Sequence, residues 1–230
     1  MAKFGIIVFT AAPDASSPAG GAFIKVDGRE SLLRAVELFV NREQVAQIVV
    51  GFNPGDGEKA KEKFGSHFTI MGFAATSGGP AFRDQLKACA TKLPPDVTHV
   101  IVHDAARPAV APADIDALFE ATEKHAAVAM VTSVGGPIVR IDESGALTDP
   151  MPAKSLRHLV WPRAFSKAAF DELVAKGPDA LLSRLEPLDS SPCNVRVNDA
   201  RDASWVKSMI GLLPKAKSRA STNPFDEAQW

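Results

Sequence analysis

Val97-Thr98-His99-Val100-Ile101-Val102-His103-Asp104-Ala105-Ala106-Arg107-Pro108 is the stretch that decides the fold. Val97, Val100, Ile101 and Val102 make a short β-branched run, the pattern of a strand buried on both faces of a parallel sheet. The run stops at His103, Asp104 and Arg107, with two small alanines between them, and Pro108 blocks continuation. In open α/β sheets ligands sit outside the carboxyl ends of the strands. Asp104 therefore stands where a substrate or metal would lie, and Ala105 and Ala106 leave room for it. The same residues admit a plainer role, in which Asp104 caps the turn and Arg107 pairs with it. His103 reads as a hydrogen-bonded residue at a strand end rather than as a base.

Outward from this strand, apolar runs alternate with helical patterns. Strands are expected at Phe4–Phe9, Val45–Phe52, Phe68–Phe73 and Ala126–Thr132. Helices are expected at Ser31–Val40, Pro54–Phe64, Ala81–Lys92 and Pro112–Lys124. Such alternation predicts a mostly parallel sheet with helices on both faces. Beyond Gly135 the pattern changes to a hairpin, Ile138–Ile141 and Ala146–Thr148 around Ser144-Gly145. A short extended piece near His158–Val160 follows, then helices at Ser166–Lys176 and Pro178–Leu185. A last strand at Asn194–Val197 and a closing helix at Asp199–Leu213 complete one domain over 1–213. The polar end, Pro214–Trp230, reads as disordered.

The 230 residues, 46% of them hydrophobic, suffice for a full core. With 26 Lys and Arg against 27 Asp and Glu, the net charge of −1 offers no basic field for nucleic acid. The two cysteines, Cys89 and Cys193, are too few for a disulfide framework and lack metal-ligand spacing. The first apolar run is too short for a signal peptide or a membrane span, so a cytoplasmic protein is expected.

His103-Asp104-Ala105-Ala106-Arg107-Pro108 resembles the signature of the 2-C-methyl-D-erythritol 4-phosphate cytidylyltransferases, which transfer CMP from CTP to a sugar-alcohol phosphate and release pyrophosphate. The resemblance extends over about residues 3 to 212. Gly28 with Leu32-Leu33 resembles the family's Gly-x-Pro-Leu-Leu, and Gly78-Gly79 its double glycine beside the nucleobase. Pro162 and Phe165 stand in its Gln-Thr-Pro-Gln-x-Phe. Asn194-Val195-Arg196-Val197 is similar to its Asn-Ile-Lys-Ile, with Asp202 as the aspartate of its last helix. The resemblance implies a nucleotide-diphospho-sugar transferase-like α/β fold with a projecting β-arm, about 135–165, that embraces a second subunit in a homodimer. It implies Asp104 and Arg196 as catalytic residues, Asp104 also as the ligand of Mg²⁺. Ala11, Ala12, Gly78, Gly79, Asp104 and Ala105 would bind the nucleotide, and Arg107 and Lys154 the substrate phosphates. The partners implied are CTP or another nucleotide and a small phosphorylated acceptor.

The departures fall on the chemistry. After the first strand the family carries Ala-Ala-Gly-x-Gly-x-Arg, which holds the triphosphate. Here Ala11-Ala12 remain, but Pro13 replaces the first glycine and has no N–H to donate, and the loop carries Asp14 and no basic residue. The family's Pro-Lys falls at Gly20-Gly21, and its Thr-Asp-Thr-x-Lys at Gly135–Val139. The arginine expected after the double glycine falls at Phe82, beside Arg83, and the arm's arginine at Ala153, beside Lys154. Lys25 and Arg83 are the nearest candidates to replace the lost charges. Trp161, where the family has threonine, could fill the acceptor pocket or pack under the arm. A nucleotidyltransferase with weak or altered activity and a non-catalytic dimeric relative both fit this pattern. An unrelated doubly wound binding protein fits it less well, because the later motifs are co-linear.

Overall fold

The computed structural model describes residues 2–14, 17–18 and 20–213. In chain order the elements are β1 (Phe4–Phe9), α1 (Ser31–Glu37), β2 (Val45–Phe52), α2 (Pro54–Ile70), β3 (Phe73–Ser77), α3 (Phe82–Ala90), β4 (His99–Asp104), α4 (Pro112–Thr122) and β5 (Ala127–Ser133). The chain continues through β6 (Ile138–Ile141), β7 (Leu147–Met151), β8 (Arg157–Ser166), α5 (Lys167–Lys176), β9 (Glu186–Asp189) and α6 (Asp202–Leu212). Seven strands form one sheet in the order β9-β5-β8-β4-β1-β2-β3. All neighbours are parallel except β8, which runs antiparallel to both β4 and β5. No helix among the described residues is long and apolar enough to cross a membrane.

The central strands are apolar on both faces because both faces are covered. Ile6 and Val8 of β1 pack with Leu32, Val36, Phe39, Phe64 and Leu118 under α1, α2 and α4. Ile7 and Phe9 pack on the other face with Leu86, Phe165 and Phe170 under α3 and α5. Asp104 ends β4 in register with Phe9, at the carboxyl edge of the middle of the sheet.

Several boundaries differ from the sequence reading, and the helix expected at Pro178–Leu185 is a 3-10 helix over Pro178–Arg184. The strand expected at Phe68–Phe73 is instead the end of α2, and β3 begins at Phe73. Phe64 and Phe68 are one helical turn apart, and Phe68 lies 4.6 Å from the Phe73 ring and 6.3 Å from Phe52. A short apolar run of this kind carries no period of its own. The extended piece near His158–Val160 is part of a ten-residue strand inside the main sheet. The projecting hairpin is therefore Ile138–Met151, not the whole of 135–165. The expected strand at Asn194–Val197 belongs to no sheet, and the strand that flanks β5 is Glu186–Asp189. That edge strand is hidden in sequence by its charges and by Pro187, which an edge position tolerates. The tail 214–230 lies outside the described residues.

Candidate active site

At the end of β4 side chains alternate between the two layers, which separates the two polar residues there. His103 is fully buried and meets Phe39 edge-on at 5.6 Å. Its Nε2 lies 3.0 Å from the Arg107 carbonyl oxygen, which can only accept, so this nitrogen carries the proton. Nδ1 is buried without a partner. Burial pushes the imidazole pKa down to about 3, so His103 is a neutral strut that shapes the turn.

Asp104 is 1% exposed. Its Oδ1 accepts the Ala106 amide at 2.9 Å, and its Oδ2 accepts Arg196 Nε at 2.8 Å. Arg107 Nε faces Oδ2 at 3.8 Å, beyond hydrogen-bond reach, and is otherwise buried without a partner. Burial pushes the carboxyl upward from its usual range, while Arg196, the Ala106 amide and Arg107 pull it back toward the ionised form. Arg196 also donates from Nη1 to the Pro18 carbonyl at 3.0 Å and to Asn198 Oδ1 at 2.9 Å. It thereby fastens the loop after β1 to the strand end.

The segment Asn194–Val197 is clamped onto the same turn. Arg107 Nη1 donates to the Asn194 carbonyl at 2.9 Å, and the Val197 amide to the Ala106 carbonyl at 2.8 Å. The structure thus brings Asp104, Ala105, Arg107 and Arg196 together, from positions about ninety residues apart in the chain.

At the end of β1, among the residues expected to bind a nucleotide, the Thr10 and Ala11 amides both donate to Gln85 Oε1, at 3.0 and 3.1 Å. Gln85 Nε2 in turn donates to Asn53 Oδ1 at 2.9 Å. The Ala11 amide therefore already has a protein partner, and Pro13 next to Ala12 has no amide hydrogen. Sequence reasoning missed Gln85; its one signal was a polar residue on the apolar face of α3, where it is fully buried. Gly78 and Gly79 sit against the start of α3. A Cβ on Gly78 would lie 2.7 Å from the Asp84 carbonyl oxygen, and one on Gly79 would lie 2.4 Å from Asp84 Oδ2. The double glycine is demanded by packing before any ligand is considered.

Neither replacement cation reaches this edge as a free charge. Lys25 is exposed on a two-residue ladder, 4.0 Å from Glu30. Arg83 Nη2 donates to the Val174 and Ala175 carbonyls at 3.1 and 2.5 Å, which closes the end of α5. Lys154 is exposed on a turn after the hairpin, apart from the Asp104 cluster. Trp161 is 4% exposed, with Phe9 at 5.0 Å and Phe82 at 5.4 Å. It fills core space beneath the site rather than lying under the arm. Arg163 lies across it, with Cζ 3.9 Å from the ring centroid.

The described residues include no group of three or more His, Cys, Asp or Glu side chains able to hold a metal. Asp104 has two protein donors bonded to it and a second guanidinium facing it, so these residues alone do not fit a resident metal ion.

A family model described as 2-C-methyl-D-erythritol 4-phosphate cytidylyltransferase matches residues 15–181. The chain is 29% identical over 210 residues to the 2-C-methyl-D-erythritol 4-phosphate cytidylyltransferase of Frankia casuarinae, covering 88% of this chain and 75% of that one. It is 31% identical over 164 residues to a bifunctional enzyme IspD/IspF of Nitrobacter winogradskyi, covering 69% of this chain and 40% of that larger protein. The structure of 4-diphosphocytidyl-2C-methyl-D-erythritol synthase from Anaerococcus prevotii superposes with a TM-score of 0.73 at 15% identity, covering 91% of this chain and 96% of that one. This last likeness concerns the fold.

Proposed function

Because this chain belongs to the 2-C-methyl-D-erythritol 4-phosphate cytidylyltransferase family, we propose that it transfers CMP from CTP to a sugar-alcohol phosphate and releases pyrophosphate. The observation that carries the reading is the Asp104–Arg107–Arg196 cluster at the carboxyl end of the central strand. In this reaction a phosphate oxygen of the acceptor attacks the α-phosphorus of CTP, a new P–O–P bond forms, and the bond to pyrophosphate breaks. Little covalent chemistry falls to the protein; it positions the reactants and neutralises charge on phosphate oxygens. Arg107 and Arg196 supply that charge, and Asp104 holds Arg196 in place from a site water does not reach. Gly78 and Gly79 leave the backbone flat where the base would pass, and Ala11, Ala12 and Ala105 keep the nucleotide side open.

Mg²⁺, which usually takes one or two carboxylates together with substrate phosphates, would be carried by the triphosphate rather than by Asp104 and would supply further neutralisation of phosphate charge. In the loop after β1, Pro13 and Pro18 have no amide hydrogen, the Ala11 amide is committed to Gln85 and Asp14 adds negative charge, so CTP is held weakly and turnover is slow for the family. Lys154 stands at the base of the hairpin, where it would face a partner subunit's substrate in a homodimer. Titration of the protein with the four nucleoside triphosphates and Mg²⁺ tests the reading. Binding selective for CTP is expected, and equal affinity for all four, or none for CTP, would overturn it.

A further inference from the structure

A site for a triphosphate and a phosphorylated acceptor needs cations, and the loop after β1 brings Pro13 and Asp14 instead. Lys25 pairs with Glu30 and Arg83 closes the end of α5, so the missing charge must come from elsewhere. Arg163 is free of such duties. Its Nε makes one long contact, 3.4 Å to the Val160 carbonyl, and no described residue accepts a hydrogen bond from its Nη nitrogens. The guanidinium sits over the Trp161 ring, with Cζ 3.9 Å from its centroid, and Trp161 packs against Phe9 and Phe82. A fork held this way loses little freedom when it binds an oxyanion.

Its position is tied to the cluster by a single residue. Asn194 Nδ2 donates to the Trp161 carbonyl at 2.7 Å, while the Asn194 carbonyl accepts Arg107 Nη1. Arg163 of β8 pairs in register with Val102 of β4, two residues before Asp104, and therefore lies on the same face of the sheet as Asp104. The buried Nε of Arg107, which makes no hydrogen bond and faces Asp104 Oδ2 at 3.8 Å, is a second donor at this edge. Burial together with the nearby Arg107 charge brings the Arg163 pKa down to about 10, and Asp14 opposes that shift, so all three groups feel one another.

We propose that Arg163 is a phosphate-binding residue of this site: stacked on Trp161 beside Arg107, it receives a substrate phosphate that the loop after β1 no longer holds. This rests on the nucleotidyl-transfer reading above, and it adds a residue to the reaction that neither the signature at Asp104 nor the late Arg196 contains. The phosphate could belong to CTP or to the acceptor, and the two are separable by experiment.

The test uses the full chain, unaltered and as Arg163→Gln and Arg163→Lys. Calorimetric titration with inorganic pyrophosphate and with CTP in Mg²⁺ is paired with KM for the phosphorylated sugar alcohol. A charge-assisted hydrogen bond is worth about tenfold or more in affinity. If the anion is the triphosphate, Arg163→Gln weakens pyrophosphate and CTP binding at least tenfold, and Arg163→Lys restores part of it. If the anion is the acceptor's phosphate, CTP affinity stays and the acceptor's KM rises by a similar factor. Unchanged affinities and KM in a folded Arg163→Gln protein would overturn the proposal and leave the nucleotidyl-transfer reading intact. Failure of the unaltered chain to bind CTP, with pyrophosphate binding still lost in Arg163→Gln, would overturn that reading and leave the anion site standing. Melting temperatures of both variants establish that each is folded.

Discussion

At the scale of single residues, the site is a balance of buried charges. Removing one partner of a buried pair costs about 3 kcal/mol or more, because the other charge is left unmatched. Asp104→Asn keeps the shape and takes away the charge that holds Arg196 and faces Arg107. It is expected to lower unfolding free energy by about 3 kcal/mol, read by urea denaturation, and to abolish turnover. His103 gives a pH dependence of definite sign. Its folded pKa is depressed to about 3, below the unfolded value near 6.5, so only the unfolded chain gains a proton between these limits. The stability His103 contributes is complete at pH 7 and falls with pH below about 6.5, by about 2 kcal/mol at pH 5. In His103→Asn that component of the pH slope should vanish, which equilibrium unfolding at pH 7 and pH 5 measures directly.

At the scale of elements, the loop after β1 and the segment 194–197 explain what sequence could and could not disclose. The β4 strand and its Asp104 terminus were legible, because a β-branched run that stops at charged residues and a proline reads as a buried strand of a parallel sheet. The clamp of Asn194–Val197 on Ala106 and Arg107 was not legible as geometry, since it depends on contacts about ninety residues apart; only the family motif pointed to Arg196. Gln85 and Arg163 went unread because their roles depend on which backbone groups and rings lie opposite them. The end of α2 is ambiguous in sequence because Phe68 fits a helix face and a strand equally well. Two substitutions probe these elements. Pro13→Gly with Ser17→Arg restores an amide and a cation to the loop and should tighten CTP about tenfold by titration, the worth of one charge-assisted hydrogen bond. Gly21 leaves no space for a side chain, a Cβ there lying 2.0 Å from the Val197 carbonyl oxygen. Gly21→Ala should cost about 1–3 kcal/mol of stability and loosen the segment that carries Arg196.

At the scale of the whole molecule, the hairpin β6–β7 projects with Val139, Ile141 and Leu147 exposed, the last two at 64% and 72%. An isolated two-stranded ribbon is marginal in water, and burying these residues against a second copy would stabilise it. A dimer is expected in sedimentation at micromolar concentration, and Ile141→Glu with Leu147→Glu should shift it to monomer. Cytidylyl transfer at the Asp104–Arg107–Arg196 edge is open to direct measurement. The most direct measurement incubates the protein with 2-C-methyl-D-erythritol 4-phosphate, Mg²⁺ and each of the four nucleoside triphosphates, following pyrophosphate release and the cytidine-diphosphate product by mass spectrometry. Slow product formation with CTP above the other three nucleotides is expected, lost in a folded Arg196→Ala protein. No product from CTP at stoichiometric protein over hours, or product formation that survives Arg196→Ala unchanged, would contradict it.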